Sequence, residues 1–146
     1  MNVMRIYLVQ HGKAKSEEED LEKPLTEEGR KETTAMAKSL KSKVNPSKIY
    51  CSKILRAKQT AEIFAKYLGV KAKSIDGIAP MDPIERALEV LDDGVMIVGH
   101  LPYLSKLAAW LLLHDETRDI VKFTHGGVLC LEKEKETWHL VFYEVP

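Results

Sequence analysis

The chain has 146 residues, 45% of them hydrophobic, which is enough to bury one core and short for two, so a single domain over residues 1–146 is expected. Its 22 lysines and arginines match its 22 aspartates and glutamates, so no global field draws it to nucleic acid or to a membrane, and any anion site must be local. Cys51 and Cys130 fit no CxxC or Cys/His ligand spacing, and no apolar run reaches membrane length, so the expected location is the cytoplasm.

Residues 6–9, Ile-Tyr-Leu-Val, make a short apolar run that stops at Gln10-His11-Gly12, the pattern of a buried parallel strand entering a tight turn. Residues 13–23 are polar, with Glu17, Glu18, Glu19 and Asp20 at their centre, and read as an exposed loop. Thr26 is placed as a helix N-cap: Glu27 and Glu28 follow in the first turn, where negative charge suits the helix dipole, and Met36, Ala37 and Leu40 recur at helical spacing. Asn45-Pro46 ends that helix, and residues 48–51 give a second strand before Ser52. Leu55, Ile63, Phe64, Tyr67 and Leu68 form the apolar face of a further helix, closed by Gly69.

Residues 70–75 are expected to be a third strand, and Asp82-Pro83-Ile84-Glu85 the start of a helix capped by Asp82. Residues 95–98 form the clearest buried strand, ending in Gly99-His100, and Pro102 opens an apolar helix that runs to Leu113. Residues 128–131 and 137–143 are expected to pair as a hairpin across a charged turn at 132–136.

Strands and helices that alternate in this way imply an α/β sheet with helices on its faces, and ligands of such sheets bind beyond the carboxyl ends of the strands. Three of those ends carry reactive groups: Gln10-His11-Gly12, Ser52 leading to Arg56, and Gly99-His100. The residue types fit phosphoryl transfer. A neutral imidazole attacks phosphorus, an arginine fork matches phosphate oxygens, and a protonated second imidazole stabilises charge on the equatorial oxygens. This requires His11 neutral and His100 cationic, in environments that push their proton affinities apart. Taken singly, either histidine reads as a structural residue or a zinc ligand, Arg56 as a partner of Glu62, and Ser52 as a turn cap. A zinc site lacks a third ligand at a comparable strand end, and no metal or other cofactor is expected.

The runs Leu8-Val9-Gln10-His11-Gly12-Lys13-Ala14, Pro24-Leu25-Thr26-Glu27-Glu28-Gly29, Ser52-Lys53-Ile54-Leu55-Arg56-Ala57-Lys58-Gln59-Thr60-Ala61 and Val98-Gly99-His100-Leu101-Pro102 together resemble the histidine phosphatase superfamily. Within it the match is to the short branch of SixA-type phosphohistidine phosphatases. The resemblance implies a phosphoglycerate-mutase-like fold, a three-layer α/β/α sandwich with a mostly parallel central sheet. It also implies that His11 is the phosphorylated nucleophile and that Arg56 and His100 line the phosphate pocket. The family pattern begins Arg-His-Gly, whereas this chain has Gln10, so one charged clamp is replaced by an amide. Lys13 is the candidate to restore that charge. Gly12, Ser52 and His125 join Gln10 and Lys13 as candidate substrate contacts, His125 because Gly126 and Gly127 permit close backbone approach.

Larger members of the family use a carboxylic acid to protonate the leaving oxygen. Asp82 is the nearest candidate here, with Asp76 behind it. The lack of an obvious acid favours an activated substrate such as phosphohistidine, whose imidazole leaves with little proton assistance. The expected partner is therefore a phosphorylated protein, and a short chain without long lid insertions fits one. The alternatives are hydrolysis of a small phosphorylated metabolite, and a phosphate-binding pseudoenzyme, the latter because of Gln10.

Overall fold

A computed structural model describes residues 3–146. In chain order they form β1 (Val3–Gln10), α1 (Glu27–Leu40), β2 (Lys48–Cys51), α2 (Leu55–Leu68), β3 (Ala72–Ser74), α3 (Glu85–Val90), β4 (Val95–Gly99), α4 (Tyr103–Leu113), β5 (Val128–Glu134) and β6 (Thr137–Glu144). The strands make a six-stranded sheet in the order β3-β2-β4-β1-β5-β6. β3, β2, β4 and β1 run parallel to their neighbours, and the β1/β5 and β5/β6 pairs are antiparallel, so the sheet is mostly parallel. Among the described residues no helix is long and apolar enough to cross a membrane.

The period-two geometry of a strand sends alternate residues of β1 and β4 to opposite faces. Ile6, Leu8, Val95 and Ile97 pack with Ala87 of α3 and with Leu104, Leu107 and Ala108 of α4. Tyr7, Val9, Met96 and Val98 pack with Met36 and Leu40 of α1 and Ala57 and Phe64 of α2. Both faces of these strands are therefore covered, which is why their sequences are continuously apolar, and the result is the expected three-layer α/β/α arrangement. Phe64 and Leu104 are fully buried on opposite sides, and each such side chain contributes about 1.5–3 kcal/mol of apolar burial.

Several element boundaries differ from the sequence expectation, each for a local reason. β1 begins at Val3 rather than at residue 6, because Arg5 of β1 bonds Glu132 of β5 (Nη2 to Oε1, 2.9 Å) and its charge is thereby accommodated. β3 keeps only Ala72–Ser74, since the Val70 N–H is used in closing α2 onto the Ala65 carbonyl. The helix expected from Asp82 begins at Glu85 instead, with Ile84 at its cap position. Asp82 closes a preceding turn, its Oδ2 accepting the Ala79 N–H at 2.9 Å. The C-terminal strands also run further than expected, to Glu134 and Glu144, leaving only Lys135 and Glu136 between them. Lys135 takes the positive φ, 59°, that so short a connection requires.

Candidate active site

Strand register brings the reactive groups together. Gln10 of β1 stands opposite Gly99 of β4, and the His11 N–H donates to the Gly99 carbonyl at 3.0 Å. His11 and His100 therefore leave the sheet side by side, their ring centroids 5.2 Å apart. Cys51 of β2 stands opposite Val98, which delivers the following Ser52 to His100, with Oγ 2.6 Å from Nε2. On the other side β5 pairs with β1, and the Gly126 N–H donates to the Gln10 carbonyl at 2.9 Å. His125 consequently lies against His11, ring centroids 5.3 Å apart. Arg56, in the first turn of α2, donates from Nε to His11 Nε2 at 3.2 Å rather than pairing with Glu62. No side chain caps that turn of α2.

The bonds around His11 fix its chemistry. Its Nδ1 lies 2.8 Å from the Gly12 carbonyl, an acceptor only, so Nδ1 carries the hydrogen and Nε2 presents a lone pair. Burial, aided by the charge of Arg56 and by His125, lowers the proton affinity of His11 to a pKa of about 4. The ring is thus a neutral base whose Nε2 lone pair accepts from the Arg56 guanidinium and is not protonated, the state nucleophilic attack needs.

His100 departs from expectation. Burial, with His11 and Arg56 nearby, pushes its pKa down to about 3, and no carboxylate opposes the shift, so both imidazoles are neutral near pH 7. Ser52 bonds its Nε2, while His100 Nδ1 is buried without a partner. A buried ring nitrogen left in that state costs about 1–3 kcal/mol and marks where a polar ligand atom is wanted.

Gly12 and Gly29 let α1 lie directly on the nucleophile turn. A side chain at Gly12 would meet Thr33 Oγ1 at 2.7 Å, and one at Gly29 would collide with the Lys13 carbonyl. Thr26 completes the seam: its N–H donates to the Lys13 carbonyl at 2.9 Å, and its Oγ1 caps the helix by accepting the Gly29 N–H at 2.9 Å.

Two residues of the Arg56 motif hold this turn and were given no role from sequence. Thr60 Oγ1 accepts the Gly12 N–H at 3.0 Å and donates to the Arg56 carbonyl at 2.8 Å, and Gln59 Oε1 accepts the Leu25 N–H at 2.8 Å. Thr60 sits four residues after Arg56, on the same helix face, and is fully buried. That spacing was the available signal. Thr60→Val is expected to leave the Gly12 N–H unpaired and to lower stability by about 1–3 kcal/mol in urea unfolding, whereas Thr60→Ser should retain near-wild-type stability.

Lys13 lies at the rim, with its Nζ 2.9 Å from Glu28 and 3.7 Å from Glu32 in exposed ion pairs. Gln10 is buried, and its Oε1 has no hydrogen-bond partner. Asp82 makes no contact with either imidazole, and Asp76 pairs with Lys53 at 3.1 Å on the surface. The carboxylates that do reach the cleft are Glu17, Glu18 and Glu28, which line an open depression of about 720 Å³ with Lys13, Lys15, Lys23, Arg56 and His125. Among the described residues no group of three or more His, Cys, Asp or Glu side chains is placed to hold a metal ion.

The model of the histidine phosphatase superfamily (branch 1) matches residues 6–85, and the chain belongs to that superfamily. His11, Ser52 and Arg56 fall within the matched segment, while His100 and His125 lie beyond it. Solved structures share the fold across almost the whole chain. The protein histidine phosphatase SixA, solved with tungstate, is 24% identical with a TM-score of 0.81, covering 97% of each chain. A mycobacterial glucosyl-3-phosphoglycerate phosphatase is 16% identical with a TM-score of 0.79, covering 98% of this chain and 100% of its own. Phosphoglycerate mutase from Plasmodium falciparum is 23% identical with a TM-score of 0.71, covering 97% of this chain and 91% of its own. No curated protein sequence matches the chain.

Proposed function

We propose that this chain is a phosphatase that hydrolyses phosphohistidine, or another activated phosphate, on a protein through a covalent phospho-His11 intermediate. The observation that carries the reading is the state of His11: neutral, hydrogen-bonded through Nδ1 to the Gly12 carbonyl, with the Nε2 lone pair beside Arg56. In the first step Nε2 attacks phosphorus, the bond from phosphorus to the substrate nitrogen breaks, and its electron pair stays on the departing imidazole, which takes up a proton. Water then attacks the phosphoryl group, loses a proton, and the pair of the P–N bond returns to Nε2. Arg56 neutralises the equatorial oxygens, and the unpartnered Nδ1 of His100 is the natural donor to one of them once Ser52 O–H occupies Nε2.

The open cleft supports a side chain presented by a partner protein, and the hydrogen bonds of neither imidazole involve a carboxylate that would protonate a poor leaving group. The small-molecule phosphatase among the similar structures favours a second reading, hydrolysis of a phosphorylated metabolite. Phosphate release from a phosphohistidine-bearing protein and from a serine-type alkyl phosphomonoester separates the two. The expected kcat/KM favours the phosphoramidate by at least about 100-fold, the contribution a positioned general acid ordinarily makes. Comparable rates on both would remove the activated-phosphate reading, and no His11-dependent release from any phosphate would leave a phosphate-binding pseudoenzyme.

A further inference from the structure

The charge in contact with the nucleophile is small for a phosphoryl dianion. Arg56 is the fixed cation that bonds His11; Lys15 and Lys23 line the outer depression beside Glu17 and Glu18, Gln10 is uncharged, and Lys13 pairs with Glu28 and lies near Glu32. One further titratable ring faces the nucleophile. His125 lies against His11 and is exposed at the junction of two depressions. One contains Arg56, and the other, of about 510 Å³, is lined in part by Gln10, Leu101 and Phe123.

We propose that His125, in its protonated form, is the second cation of the phosphoryl site, so that anion binding by this chain is switched by pH. The inference rests on the phosphatase reading of the site. Lys13 from the nucleophile turn and Glu32 from α1 face His125 with opposite effects, and His11 and Arg56 stand beside it. Partial desolvation against His11 and the charge of Lys13 together hold its proton affinity below the ordinary imidazole value against the pull of Glu32. A bound dianion reverses that balance. By reciprocity, an anion that is held by protonated His125 must itself raise the proton affinity of His125 by the same factor. Anion affinity is therefore highest at mildly acidic pH and falls as His125 deprotonates.

Sulfate is the suitable probe, because it stays dianionic from pH 5 to 8 and only the protein titrates. The ring C–H signals of the five histidines, followed by NMR over that range and assigned with His125→Gln, read His125 directly. Saturating sulfate is expected to move the His125 midpoint upward by about one pH unit, and sulfate to bind about tenfold more tightly to the protonated form. His125→Gln should bind weakly with the pH dependence lost, and His125→Arg should bind tightly at both ends of the range. A His125 midpoint that is the same with and without sulfate overturns the proposal, as does an unaltered pH dependence in His125→Gln. Turnover of phosphohistidine by the wild type is measured separately. Its absence, with no His11-dependent release from any other phosphate, alongside pH-linked sulfate binding would sink the phosphatase reading and leave the role of His125 standing.

Discussion

His11→Ala is expected to lower phosphate release by at least about 10³-fold, because the remaining catalysis would come from anion binding alone. Among the described residues no other group is positioned to take its place. With Ser52 O–H donating to His100 Nε2, Nδ1 carries the hydrogen and that ring has no free lone pair for attack, and the His125 centroid lies 5.3 Å from His11 rather than in its position. The variant should still fold, since the His11 ring bonds only the neighbouring Gly12 carbonyl and Arg56 Nε, and the turn is held independently by Thr60 and Thr26. Rapid-quench experiments with a radiolabelled phosphoryl donor provide the check. Wild type should retain label in a form that survives base and is lost in acid, as a phosphoramidate is, and His11→Ala should retain none. Equal turnover by the two proteins would remove His11 as the nucleophile.

Acid is expected to destabilise this protein well before its carboxylates titrate. In the unfolded chain His11 and His100 have the ordinary imidazole pKa of about 6.5, whereas the folded site holds them at about 4 and about 3. Between these values the unfolded state binds protons that the fold refuses, so the free energy of unfolding falls as pH falls. The contribution is complete above about pH 6.5, declines below it, and is gone once pH passes through the folded values. Each tenfold difference in proton affinity is worth about 1.4 kcal/mol, so His100 alone accounts for a loss on the order of 3 kcal/mol by pH 4.5. Urea unfolding at pH 7.5 and pH 4.5 measures it. His100→Gln keeps an amide that can bond Ser52 but has no titrating ring, and it should lose less stability than wild type over this interval. Equal losses would show that His100 is not the group refusing the proton.

The same low proton affinities bear on the mechanism. The sequence reading called for one neutral and one cationic imidazole, but burial makes both neutral, and the fixed charge at the centre is Arg56. Lys13, the residue expected to restore the charge that an arginine at position 10 would bring, lines the cleft with its Nζ paired to Glu28 and near Glu32 in the first two turns of α1. The acid expected at Asp82 is spent on a turn. The carboxylates that reach the cleft come instead from the acidic loop and from Glu28, a consequence of how residues 13–23 fold back, with Ala14 bridging Leu25.

The sequence by itself determined the layers, the strand ends and the family. Apolar runs at residues 6–9 and 95–98 need cover on both faces, and histidines directly after two such strands must emerge at the same sheet edge if those strands are parallel neighbours. Thr26 and Gly69 marked helix ends because capping is a local property of side chain and backbone, and both are found as caps. Asp82 had the same local credentials and was claimed by a different turn, since a short carboxylate bonds whichever amide the chain brings nearest. Only the tertiary structure decided the protonation of the site. Proton affinity depends on burial and on every charge within several ångströms, and those neighbours, Arg56 beside His11, Glu28 and Glu32 beside Lys13, and His125 beside both clefts, come from segments far apart in the chain. The role of Thr60 was hidden for the same reason, because its partner, the Gly12 amide, is 48 residues away and meets it only when α2 packs beneath the nucleophile turn.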